Sequence, residues 1–194
     1  QNNLSQYVGK IYAEKYFSPK AKADVTKMVE DIIAVYKDRI KNLDWMSDET
    51  KEQALKKLDT MGIKVGYPDT WKSIVDDVEI KSVEEGGSYF SNKVALLKAS
   101  KDNMVANQGK PIDKTQWATP VFTVNAFYTP SYNDITFPAA FLQKPIYDPE
   151  KSYEYNLGSV GITIAHEITH AFDNNGAKYD ENGNAANWWT EEDY

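Results

Sequence analysis

Residues 165–176 read AHEITHAFDNNG and contain His166 and His170, the only two histidines of this 194-residue chain. Residues four apart on a helix lie on one face, one turn apart, so both imidazole rings can reach a single ion. Nitrogen ligands in this arrangement favour tetrahedral zinc. The stretch therefore predicts a helix that carries a zinc site, with His166 and His170 as metal ligands.

One of the three residues between the two histidines suits a different task. Glu167 lies about 100° around the helix from His166, since a helix has about 3.6 residues per turn. It is therefore poorly placed as a third ligand, but it can reach a water molecule on the metal. Zinc lowers the pKa of such a water, and a carboxylate can accept its proton during attack on a carbonyl. Glu167 is the predicted catalytic base of a hydrolase.

The alternative is a pair of ordinary histidines in a core helix. Ile164, Ile168 and Phe172 form an apolar stripe roughly opposite the histidines, and Ile162 widens it. This pattern predicts a helix that is buried on nearly every side. Two buried imidazoles without partners would be unfavourable there. A metal ion is the simplest partner, so the pattern favours the metal site.

A catalytic zinc site needs a third protein ligand, which the histidine pair does not supply. In one class it is a histidine six residues beyond the second one, after a glycine at the third position. Asp173 and Gly176 occupy those positions here, which excludes that class. The other class uses a glutamate from a later helix. Glu191 and Glu192 are possible by spacing, although they equally suit the first turn of a helix.

Asp173 lies three residues beyond His170, and two roles are open for it. It can accept a hydrogen bond from a metal-binding histidine, as carboxylates next to zinc sites often do. It can also hydrogen-bond the local backbone where the helix ends.

The composition excludes several classes of protein. The net charge is −7 and no run of Lys or Arg is present, which argues against nucleic acid as a partner. There is no cysteine, so disulfides and thiolate metal sites are excluded. No apolar run approaches the ~20 residues that cross a bilayer. The lack of cysteine is compatible with a reducing compartment, so we expect a cytoplasmic location, with export left open.

Hydrophobic periodicity predicts an α+β fold that is mainly helical. The helices are predicted at residues 19–42, from Ser47 or Asp48 to Gly62, at residues 88–104 with Phe90, Val94 and Leu97 buried, and from Ser159 to Phe172. Residues 120–128 and 135–137 predict a β-hairpin. We expect residues 1–117 to form a helical part, and residues 118–194 to form the hairpin and the zinc-binding helix.

Both ends of the chain suggest a piece of a longer protein. The first residues, QNNLSQYVGK, lack the charged and apolar regions of a signal peptide. The last residues, WWTEEDY, stop where Thr190 would cap a new helix. We expect a truncated C-terminus.

Longer stretches resemble one family of enzymes. Residues 124–148, VNAFYTPSYNDITFPAAFLQKPIYD, and 158–189, GSVGITIAHEITHAFDNNGAKYDENGNAANWW, closely resemble the neprilysin-like zinc endopeptidases, which include bacterial oligopeptidases. VGKIYAEKYF at residues 8–17 and GYPDTW at residues 66–71 agree with the resemblance. It covers nearly the whole chain, in the order found in the family.

The resemblance implies a partial thermolysin-like zinc peptidase region and a peptide substrate. In the family, the third zinc ligand is the glutamate of an E-x-x-x-D motif after the tryptophan pair, and no such motif occurs before Tyr194. We therefore expect the remainder of a parent peptidase as a partner, and a chain that is inactive alone. The alternative is a non-catalytic interaction module that keeps the fold.

The resemblance also implies substrate-binding residues. Asn125 and Ala126 match a pair that binds the peptide backbone, and an edge strand there can accept an extended peptide as a further strand. The alternative for Asn125 is a residue that only closes the hairpin. Four further residues match positions that line the pocket for the side chain after the cut bond: Phe141, Ile146, Ile162 and Thr163. Each could instead be an ordinary core residue.

Overall fold

The computed structural model describes residues 4–194, apart from the side chain of Ile74, so predictions for residues 1–3 lie outside the described residues. The helices are α1 (Ser5–Tyr16), α2 (Pro19–Lys41), α3 (Asp48–Asp59), α4 (Tyr89–Ala106), α5 (Tyr153–Leu157) and α6 (Val160–Thr169). The strands are β1 (Gly62–Gly66), β2 (Phe127–Thr129) and β3 (Asp134–Pro138). This helical fold with a small sheet confirms the predicted class. No helix within residues 4–194 is long and apolar enough to span a bilayer.

The three strands form one sheet in the order β1-β3-β2. β3 lies in the centre and is buried at all five positions. It pairs in parallel with β1, with Gly62 opposite Asp134, and antiparallel with β2, with Phe127 opposite Thr136. β1 and β3 lie on opposite sides of residue 117, so the two predicted parts of the chain share this sheet. Their division at that residue stays a prediction.

The long helix α2 forms as predicted and packs against α3, β1 and α6. Ser18 caps its start, accepting a hydrogen bond from the Ala21 N–H at 3.1 Å, and Pro19 occupies the first turn. Val25 and Val29 are fully buried on its inner face. This face is the surface on which the sheet and α6 rest.

Helix α3 begins where it was predicted, with Ser47 as the N-cap. The side chain of Ser47 also donates to the carboxylate of Asp193, whose Oδ1 accepts the Ser47 backbone N–H at 3.1 Å. Thr190 caps a single turn at the end of the chain, since its Oγ1 accepts the Asp193 N–H at 3.3 Å. This contact ties the last residues to the start of α3.

Three local predictions are wrong. Gly62 was expected to end a helix, but it begins β1, whose partner β3 lies about 70 residues further along the chain. The predicted strand at residues 120–128 is mostly turns and irregular backbone, and only residues 127–129 pair. Val121 and Ala126 are buried without belonging to a strand, so their burial does not require one. Helix α6 ends at Thr169 rather than at Phe172.

Helix α4 does not bury the face that was expected. Phe90, Val94 and Leu97 are 76%, 47% and 57% exposed, and Leu96 is its buried apolar residue. The helix packs against the short 3₁₀ helix Ile74–Asp77 rather than against the main core. Apolar spacing identified the helix, but the face it buries depends on a neighbour that the spacing does not reveal.

We expect Gly66→Ala to lower the free energy of unfolding by about 3 kcal/mol. Gly66 has a φ of +72°, which costs an L-residue roughly 1–2 kcal/mol. An added Cβ would also lie 2.3 Å from the Phe17 ring, and overpacking of this kind costs about 1–3 kcal/mol. Gly109→Ala is the matched control, because Gly109 has a φ of +76° with open space around it. Urea unfolding of both variants checks the prediction, and equal losses would contradict the packing argument.

Candidate metal centre

Helix α6 is held by its apolar face. Ile164 and Ile168 are fully buried against the core. The hydroxyl of Tyr36 on α2 donates to the carbonyl of Ala165 at 3.1 Å. The opposite face is open, since His166 is exposed and Ile162 is 67% exposed. The expectation of a helix buried on nearly every side is therefore wrong, because α6 lies at the surface of the described residues.

The two histidines meet on this open face. His166 lies in the last turn of α6, and His170 is the residue that ends the helix. Their Nε2 atoms are 3.1 Å apart, with the rings nearly perpendicular at 87°. Together with a carboxylate oxygen of Glu167, they form the group of potential metal ligands found within residues 4–194, with all ligand atoms within 4.8 Å of one another. The four-residue spacing along the helix thus brings the two Nε2 atoms close enough to bind one ion.

Glu167 points toward the protein interior, although it belongs to the same group. The residue is only 7% exposed. Burial raises the pKa of its carboxyl group, while His170, His166 and a backbone hydrogen bond from Tyr128 act in the opposite direction. A carboxylate with a raised pKa is a stronger proton acceptor than an ordinary surface glutamate.

Asp173 makes the hydrogen bonds that both of the roles left open by the sequence would require. Its Oδ2 accepts a hydrogen bond from Nδ1 of His170 at 2.7 Å. Its Oδ1 accepts the backbone N–H groups of Asn175 and Gly176, both at 2.8 Å. Partial burial would raise the pKa of Asp173, but the hydrogen bonds from Gly176, His170 and Asn175 hold it below its usual value. An ionised Asp173 can only accept, so Nδ1 of His170 carries a proton. In the neutral ring, the Nε2 lone pair then faces Nε2 of His166, 3.1 Å away.

These donors suit zinc. Two imidazole Nε2 atoms converge, and one ring is oriented through its other nitrogen by a carboxylate, an arrangement common in zinc proteins. The third protein ligand is missing from this group. Glu191 and Glu192 are exposed and do not belong to it, so neither acts as a ligand in the part of the chain described.

The six predicted substrate residues lie in different environments. Ala126 is buried in the core, Phe141 and Ile146 pack against it while partly exposed, and Thr163 is half-buried. Asn125 and Ile162 are exposed. None of the six lines the cavity of about 120 Å³ beside β2, which is bordered by Lys64, Tyr128, Asp134 and their neighbours. The structure therefore does not gather them in that cavity, and their roles stay predictions.

Sequence reasoning missed one buried charge beneath the site. Lys57 on α3 is 1% exposed, and its ammonium group donates to the carbonyls of Ala171, Gly176 and Tyr179. A signal was present in the sequence. Lys57 shares the apolar helical face of Ala54, Leu58 and Met61, where a lysine is out of place unless it has partners.

Comparison with known proteins places this site in a family. Two profiles, both described as peptidase family M13, match residues 1–68 and 125–194. A neutral endopeptidase of Lactobacillus helveticus is 41% identical over 98% of this chain, and a putative zinc metalloproteinase of Streptococcus gordonii is 44% identical over all of it. The chain spans 29% and 34% of the length of these two relatives.

Comparison with solved structures points to the same class of enzyme. The crystal structure of PEPO from Lactobacillus rhamnosis HN001 matches 99% of this chain with 42% identity and a TM-score of 0.85. The Mycobacterium tuberculosis zinc metalloprotease ZMP1, solved with an inhibitor, matches 99% with 37% identity and a TM-score of 0.81. The chain covers 30% and 28% of these structures. Both family profiles name one family and together they span more than half of the sequence, which confirms the predicted relationship: this chain belongs to peptidase family M13.

Proposed function

We propose that this chain supplies the zinc-binding and water-activating part of an endopeptidase that cleaves short peptides. The observation that carries the proposal is the pair of Nε2 atoms 3.1 Å apart, with the buried Glu167 in the same helical turn. Relatives named neutral endopeptidase and zinc metalloproteinase support it.

Each residue of the group has a separate task. His166 and His170 would hold zinc through Nε2, and Asp173 keeps the proton of His170 on Nδ1. When bound, zinc supplies a Lewis acid that lowers the pKa of a coordinated water. Glu167 accepts a proton through its carboxylate as the peptide carbonyl is attacked, and then donates it to the leaving amine. Its raised pKa favours the first transfer.

The peptide would lie along β2, which is one of the two edge strands of the sheet. An edge strand offers backbone groups to which an extended peptide can add as a further strand. Asn125 precedes this strand with an exposed side chain that can hydrogen-bond the peptide backbone, next to Ala126. Phe141, Ile146, Ile162 and Thr163 would form the pocket for a bulky hydrophobic side chain after the cut bond.

The third zinc ligand would come from a longer protein. The chain spans about a third of the length of its curated relatives, and only two histidines and Glu167 form the ligand group within residues 4–194. We therefore propose that the remainder of a parent peptidase completes the site and that the chain is inactive alone. The bacterial cytoplasmic location also stays a prediction.

We expect the isolated chain to bind zinc weakly, with a Kd above about 1 μM, which corresponds to about −8 kcal/mol. Two imidazoles are too few ligands for a tight site. Zinc titration against a chelator of known affinity measures this. His166→Ala should weaken binding further, whereas the exposed Asn103→Ala should not. Nanomolar binding by the unaltered chain would show that it holds a complete site.

In the complete peptidase, Glu167→Gln should leave zinc bound and lower kcat by about 10²–10⁴, the usual contribution of a general base. The amide keeps the size of the side chain but cannot accept the proton. Metal content and peptide cleavage are measured together. Glu154→Gln is the control, because Glu154 is an exposed acid on α5. Full activity of Glu167→Gln would show that Glu167 is not the catalytic base. A complete protein without peptidase activity would favour the alternative, a non-catalytic interaction module.

In the same protein, Asn125→Ala should raise KM about fivefold with a smaller change in kcat, because one hydrogen bond to the peptide is worth about 1 kcal/mol. Steady-state cleavage of a short peptide gives both constants. Asn103→Ala again serves as the control. An unchanged KM would mean that Asn125 only closes the hairpin.

A further inference from the structure

We propose that Lys57 is a positioning residue for the metal centre: its ammonium group holds the loop after α6 so that Asp173 stays on Nδ1 of His170. The inference rests on the proposed function, because it concerns the same site. It adds a residue from α3, a helix more than 100 positions before the histidines.

The three contacts of Lys57 account for its whole ammonium group. Nζ lies 2.8 Å from the carbonyl oxygen of Ala171, 2.6 Å from that of Gly176 and 2.7 Å from that of Tyr179. A lysine ammonium has three N–H donors and no acceptor, so three carbonyls satisfy it completely. Charge-assisted hydrogen bonds of this kind are roughly twice as strong as neutral ones.

These carbonyls belong to the segment that carries Asp173. Ala171 directly follows His170, and Gly176 donates its backbone N–H to Asp173 while its carbonyl accepts from Lys57. The backbone of Gly176 is therefore held on both sides, by the aspartate and by the lysine. Gly176 also packs so closely that an added Cβ would lie 1.8 Å from the His170 carbonyl oxygen. Residues 171–179 thus wrap around a single cation.

The surroundings of Lys57 are built to keep it in place. Its Nζ lies 5.9 Å from the ring centre of Tyr128 and 5.6 Å from that of Trp188, within the range of cation–π attraction. Trp188 Nε1 donates to the Tyr179 carbonyl, the same oxygen that Lys57 binds. Burial lowers the pKa of Lys57 to about 8, against the opposing effects of Asp180 and Asp173. The three carbonyl acceptors each take one N–H of Lys57, which favours its charged ammonium form.

The consequence for the site is a single tautomer of His170. While Asp173 accepts from Nδ1, Nε2 keeps its lone pair for a metal ion. Loss of the ammonium group would remove one donor from each of the three carbonyls, although Gly176 keeps the Tyr179 N–H and Tyr179 keeps Trp188 Nε1. The loss of buried hydrogen bonds of this kind is costly. The loop would then move toward water, and Asp173 would leave the ring. His170 would divide its proton between its two nitrogens.

The test measures the tautomer of each histidine directly. Long-range ¹⁵N NMR spectra of the metal-free chain, with the rings neutral, report which nitrogen carries the proton, and only two rings contribute. We expect Lys57→Met to shift His170 from the Nδ1–H form to a mixture of tautomers. We also expect zinc affinity to fall about tenfold, as when the partner of a metal-binding histidine is lost.

The matched control separates positioning from stability. Leu58→Ala removes a 2% exposed core side chain from the neighbouring position of α3 and lowers stability without removing a hydrogen bond to the loop, because a leucine side chain has no donor. It should keep both the tautomer and the zinc affinity of the unaltered chain. If Lys57→Met behaves like Leu58→Ala in both measurements, Lys57 is an ordinary structural residue and the proposal is wrong.

A second variant covers the case in which Lys57→Met does not fold. The chain contains no cysteine, so Lys57→Cys can be alkylated in denaturant with 2-bromoethylamine and refolded, which restores an ammonium group at nearly the original length. Recovery of the fold together with the Nδ1–H tautomer supports the proposal, and recovery of the fold without it overturns the proposal. Since the tautomer is read without metal, a complete peptidase that binds no zinc would refute the proposed function but leave this result standing.

Discussion

The rotation of α6 is the constraint on which the site depends. Ile164 and Ile168 are fully buried, and Tyr36 bonds the Ala165 carbonyl, so the helix cannot turn about its axis without exposing its apolar face. That fixed rotation sends His166 and His170 to the surface and Glu167 inward. The packing of this one face of α6 therefore places the two histidines in water and Glu167 in a less polar environment.

The supports of this helix come from distant parts of the chain. α2 supplies the packing surface, α3 supplies Lys57, and the β2–β3 turn supplies Asn133, whose side-chain amide donates to the Lys57 carbonyl at 2.9 Å. Asn133 has a φ of +48° and also accepts from the Tyr128 hydroxyl at 3.0 Å. Residues 4–68 and 125–194, which belong to regions that match separate profiles, thus form one continuous structure beneath the histidines.

The sequence predicted the features that depend on local spacing. These include α2, the capped start of α3, the returning strand of the hairpin, the histidine pair and the placement of Asp173 three residues further on. The sequence-based predictions were wrong where contacts with distant residues determine the local structure. β1 is a strand only because β3 lies beside it, and α4 turns Phe90 to the solvent because its neighbour is the 3₁₀ helix. The role of Lys57 was not predicted because its three acceptors lie more than 110 positions further along the chain. Those acceptors are backbone carbonyls, and side-chain periodicity does not show where a backbone carbonyl will lie.

The place where α6 ends gives the two histidines a further property. His166 lies in the last turn and His170 is the C-terminal cap, so the ring nitrogens gather where the aligned peptide dipoles leave a partial negative charge of about half an electron. A divalent cation between the rings would be attracted by this partial negative charge as well as by the lone pairs of the two ring nitrogens. The backbone of the helix therefore contributes to the attraction of the ion without providing a ligand.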